Sequence, residues 1–211
     1  MPYINRIKII FQEVLIYYVI FIFVFQTYRI ALYHSYSNLF NDIDFFSLLK
    51  IIILGCRFDF SSTSVLLFIP IILLIIPIPL TGHWLYRRFI ASIIYIEWAV
   101  LIVFLNSDYL YFNYVKRHIT NELLFILKDW DYLISEISSN LFIFIIILFI
   151  IIFSYPFFLK YLVSEKKNRE RSITGFIFIV LLMIIIGRGG FQRKPITVID
   201  AYQHGSANQG H

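Results

Sequence analysis

Arg57, Asp59, Asp108, Arg117 and Arg188 are the residues whose types and spacing best suit chemistry, and that chemistry is recognition of an anion. Each stands in a short polar word beside a long apolar run. Arg57-Phe58-Asp59-Phe60-Ser61 opens one run, and Asn106-Ser107-Asp108 closes another, with Lys116-Arg117-His118 just beyond. Arg188-Gly189-Gly190 closes a third. An arginine at phosphate depth can grip a lipid headgroup or an acidic side chain through two parallel hydrogen bonds. Asp59 is expected to act as an N-cap, its carboxylate facing unpaired N–H groups and the positive end of the helix dipole. Taken singly, these residues read as interfacial anchors and snorkelling cations. Their joint placement on one side of a membrane is what points to a shared polar cluster.

Other chemistry is poorly supplied. The lone Cys56 excludes a disulfide framework and a cysteine-based metal cluster. His34, His83, His118, His204 and His211 are scattered, without metal-ligand spacing, and no phosphate-binding loop or nucleophile elbow is present. No catalytic residue and no metal ligand is assigned. Glu97 is the one acid deep inside an apolar run. A charge at that depth is costly and faces protein or water, which makes Glu97 either a functional group or a neutral, hydrogen-bonded tie between helices.

The elements that must position these residues are membrane helices. Hydrophobic residues make up 60% of the chain and charged residues 15%, well under the ~25% of a soluble domain. A crossing needs ~20 mostly apolar residues. Five runs are candidates: Ile9–Leu32, Ser64–Leu80, Phe89–Leu105, Leu141–Phe158 and Ile173–Ile186. The first is too long for a cleaved signal peptide and lacks small residues after it, so it reads as a retained helix. Pro77 and Pro79 stop the second run, and Gly187-Arg188-Gly189-Gly190 stops the fifth.

Two further segments have amphipathic patterns. Between Phe45 and Phe60, Phe45, Leu48, Leu49, Ile52 and Cys56 line one side, and Ser47, Lys50, Arg57 and Ser61 another. Phe112, Val115, Ile119, Leu123 and Ile126 form a second stripe. Both are expected to be helices lying in the headgroup region; the alternative for the first is an N-terminal extension of the second span. The expected fold is therefore an all-α integral membrane protein of five transmembrane helices with interfacial amphipathic helices on its outer face.

Basic residues resist translocation and so set orientation. With the N-terminus in the cytoplasm, nine Lys and Arg fall on three short inner segments and eight on longer outer ones. Five crossings then leave the C-terminus outside, in a bacterial plasma membrane. The net charge of +5 reads as topology, because no basic patch suited to nucleic acid is present. Membrane lipids with anionic headgroups are the expected partners; the oligomeric state is open.

The polar words together resemble the membrane portion of the lipoteichoic acid synthase-like family. These are bacterial phosphoglycerol and phosphoethanolamine transferases of the alkaline phosphatase/sulfatase superfamily. The matching pieces are Gly55-Cys56-Arg57-Phe58-Asp59-Phe60-Ser61, then Asn106 and Asp108-Tyr109-Leu110-Tyr111-Phe112 with Arg117 and Thr120. The last is Arg188-Gly189-Gly190-Phe191-Gln192-Arg193-Lys194-Pro195-Ile196, followed by Asp200-Ala201-Tyr202. The resemblance covers most of the chain.

It implies a five-helix membrane domain over residues 1–190 and an extracytoplasmic linker over 191–211, expected to be truncated before a sulfatase-like catalytic domain. That domain would hold the hydroxyl nucleophile and a divalent metal (Mn, Mg or Zn), so no cofactor is expected here and this fragment alone would be inactive. The implied role is a membrane anchor that presents lipid to such a transferase. The alternative is a standalone multi-pass protein, a transporter subunit or assembly partner, for which Glu97 is the one polar residue inside a span. An intramembrane hydrolase lacks a nucleophile–base pair within the spans.

Overall fold

In the computed structural model the chain is described over residues 2–36, 45–115, 134–135, 138–162 and 173–190. These residues build helices α1 (Pro2–Ser35), α2 (Phe45–Ile75), α3 (Trp84–Val115), α4 (Leu141–Leu162) and α5 (Ile173–Gly187), with a short 3-10 turn at Pro79–Gly82. No strand occurs among them. Four helices are long and apolar enough to cross a membrane, and α5 is a shorter apolar helix of 15 residues, about 22 Å. The chain is thus an all-α, multi-pass membrane protein.

Two helices run further than the apolar runs imply. Phe45–Phe60 is the first half of a continuous 31-residue α2, about 46 Å long, so the extension reading replaces the separate interfacial helix. The amphipathic pattern could not decide between them, because a helix leaving the membrane at its end carries the same stripe as one lying along it. Likewise, Phe112–Val115 continues α3, while the remainder of the second stripe lies outside the described residues. Asp59 is consequently in the interior of α2 and is not an N-cap.

The chain forms two compact units, one from Met1–Ile90 with Glu165–His211, the other from Ala91–Ser164. In the first, α1 buries a stripe of Ile10, Val14, Tyr17, Tyr18, Phe21 and Val24, which fall on one helical face. It packs on α2 and α5, where Leu67, Ile71 and Leu74 of the one and Ile179 and Met183 of the other are buried. Lipid tails are as apolar as these side chains, so association depends on close packing and on hydrogen bonds between helices. Ser61, Thr63, Ser64, Gly175 and Gly187 supply small surfaces for it, and Tyr18 and Ser64 share a buried 2.7 Å hydrogen bond.

The turn between α2 and α3 is self-contained. Thr81 donates its hydroxyl to the Ile78 carbonyl at 2.8 Å, the Tyr86 hydroxyl donates to Leu73 O at 2.9 Å, and α3 starts with Arg87 already buried.

The second unit centres on aromatic packing between α3 and α4. The Tyr95 ring lies 5.0 Å from both Tyr155 and Phe158, and 5.5 Å from Trp98. The Tyr95 hydroxyl donates to the Ile151 carbonyl and lies 2.9 Å from the Ser154 hydroxyl. The rest of α4 is largely exposed, as suits a helix facing lipid.

Candidate lipid-headgroup site

The C-terminus of α5 explains why Arg57 sits where it does. The last carbonyls of a helix lack partners within it. Here Gly189 adopts φ +79° and Gly190 φ +114°, and the Gly190 N–H donates to Ile185 O at 2.9 Å while the Gly189 N–H donates to Ile186 O at 2.8 Å. This nested pair is a Schellman cap, whose left-handed residue is glycine because a Cβ there is strained. The cap leaves the carbonyls of Gly187 and Gly189 pointing outward. Ser61 donates to the first at 2.6 Å, and the Arg57 Nε–H donates to the second at 2.7 Å. Arg57 and Ser61 are one turn apart on α2, so a single helix face serves both.

One turn before Asp59 on α2, Gly55 opens a gap for α1. The Arg29 guanidinium lies over Gly55, where an added Cβ would collide with it. From there Arg29 donates to Asp59 Oδ1 at 2.9 Å, and the Gln26 amide donates to Asp59 Oδ2 at 2.7 Å. Asp59 is only 5% exposed. Both its oxygens are satisfied, which is the condition for holding a carboxylate at this depth.

A second ion pair lies towards the other end of α1. The Arg87 guanidinium donates to Glu13 Oε1 at 2.6 Å, with both side chains buried. Glu13 and Arg29 are about 24 Å apart along α1, a little less than the ~30 Å thickness of a hydrocarbon core. Neither pair was foreseen. The signal in the sequence is that a charged residue within an apolar run demands a partner, and Glu13 and Arg29 both fall within Ile9–Leu32.

The structure therefore brings some of the predicted site residues together. Arg57 meets the Arg188-Gly189-Gly190 turn, joining two words 132 positions apart. Asp59, on an adjoining face of α2, is committed to Arg29 and Gln26. Asp108 is buried within the second unit, as is Asn106. Arg117 and residues 191–211 lie outside the described residues. Glu97 is half-buried on α3, and its Oε2 has no hydrogen-bond partner among the described residues. Among those residues no group of three His, Cys, Asp or Glu side chains could hold a metal ion.

Apolar hollows adjoin the Arg57 turn. An open groove of about 500 Å³ lies between α2 and α5, with Ile53, Phe60, Leu182, Ile185 and Ile186 on its walls and Arg57, Gly189 and Gly190 at its head. A smaller hollow of about 100 Å³ shares Phe60, Leu182 and Ile186 and reaches Phe11, Ile179 and Met183. What this arrangement can do chemically is hold an amphiphile: a cation and polar backbone at one end, hydrocarbon along the rest. No family model, no curated protein and no solved structure matches this chain.

Proposed function

We propose that this chain is the membrane-anchoring, lipid-presenting region of a bacterial phosphoglycerol or phosphoethanolamine transferase of the sulfatase type. In this reading its N-terminus is cytoplasmic and its C-terminus lies outside, in the plasma membrane. The catalytic hydroxyl and divalent metal belong to a further domain, and the membrane region holds a lipid whose headgroup is to be transferred. The observation that carries the reading is the 2.7 Å bond between Arg57 and Gly189, which joins two of the polar words behind the resemblance at the mouth of an apolar groove. An arginine held in that way is a fixed cation for a phosphodiester.

The test measures phospholipid association with the purified chain by native mass spectrometry. Arg57→Gln keeps a donor for the Gly189 carbonyl while removing charge; Arg117→Ala and Arg188→Ala remove the other cations. The expected result is a several-fold loss of anionic over zwitterionic lipid in at least the Arg57 variant. Unchanged preference in all three variants would refute the headgroup role. For the orientation, a reporter active only in the cytosol and fused after His211 should stay silent; a signal from it would overturn the topology.

A further inference from the structure

The two hollows beside α5 share three wall residues, and their linings on this helix extend from Ile179 to Gly190, about 16 Å. That is roughly half the ~30 Å hydrocarbon thickness, the depth of one leaflet. The walls are apolar side chains, several of them exposed, including Ile53, Phe60, Phe11 and Leu15. Polar groups occur at the head, where Gly190, at φ +114°, stands beside Arg57: a Cβ on it would lie in ordinary contact with Nη2, at 3.9 Å. The hollows hold about 500 and 100 Å³. A single hydrocarbon chain fits them.

We infer that this track between α2 and α5 seats one acyl chain of an anionic phospholipid, its phosphate beside Arg57 and the Gly189-Gly190 turn. The inference rests on the lipid-presenting reading for the headgroup and adds the place where the tail lies. Charge complementarity fixes the direction: the cation stands at the end where the polar turn leaves the helices, and the track continues from it into hydrocarbon.

The experiment reconstitutes the full chain in phosphatidylcholine nanodiscs containing phosphatidylglycerol with a photoreactive diazirine midway along one acyl chain. A phosphatidylcholine probe with the same diazirine is the comparison. After illumination, labelled residues are mapped by mass spectrometry. Expected is several-fold stronger labelling of Leu182, Ile185 and Ile186 by the phosphatidylglycerol probe. Leu182→Trp, which fills the track, should remove that labelling and leave the labelling of exposed Phe153 on α4 unchanged. Arg57→Gln should equalise the two probes. Equal labelling of α5 by both probes in the unmodified chain overturns the inference. Absent track labelling alongside an intact anionic preference in native mass spectra also overturns it, while leaving the headgroup reading in place.

Discussion

An acid and a base buried together in hydrocarbon are worth more as a pair than either is alone. Removing one partner leaves an uncompensated charge, which costs about 3–5 kcal/mol for a buried pair. Glu13 and Arg87, 8% and 7% exposed, meet that condition. Arg29 is more open, its side chain 30% exposed, so its pairing with Asp59 should be worth less, about 1–3 kcal/mol as a charged hydrogen bond. Glu13→Gln and Arg87→Gln should each destabilise the chain by about 3 kcal/mol in detergent unfolding, and the double variant by clearly less than their sum. Simple additivity would mean that the two side chains do not rely on one another.

At the scale of an element, α2 is organised by the spacing of small and polar residues on its faces. Gly55 and Asp59 receive α1, while Arg57 and Ser61 receive the end of α5. Within a bilayer an unpaired carbonyl costs several kcal/mol, which is why α2 carries an arginine and a serine one turn apart rather than two more aliphatic residues. Gly55→Ala should displace the flexible Arg29 head from Asp59 and reproduce part of the loss expected of Arg29→Gln. In an Arg29→Gln background the same alanine should be nearly neutral, measured by the same unfolding titration. An equal penalty in both backgrounds would show that Gly55 serves something other than Arg29.

For the molecule as a whole, the class of the fold is written into long apolar runs, because nothing but membrane crossing or deep burial tolerates Leu141–Phe158. The end of α5 was equally legible, since paired glycines after an apolar run announce a left-handed cap. The start of α2 was not: the amphipathic stripe of residues 45–60 suits two geometries, and packing decided. Partner choice was the least legible. Asp59 pairs across 30 positions and Glu13 across 74, and no local pattern states which distant charge a charge will meet. Arg57 was legible as a polar residue near the membrane edge, but its bond to Gly189 required the fold.

The central claim is that α2 and α5 lie together so that Arg57 and the Gly189-Gly190 turn share one corner. The Ser64 Cβ is 3.6 Å from where a Cβ on Gly187 would lie, within disulfide range. Placing Ser64→Cys and Gly187→Cys together in a Cys56→Ser background and oxidising intact membranes should therefore give an efficient intramolecular disulfide, read as a reducible mobility shift. Ser64→Cys with Ile173→Cys, at the other end of α5, should give none. A crosslink in the second pair and none in the first would place the α5 turn away from Arg57 and contradict the shared corner.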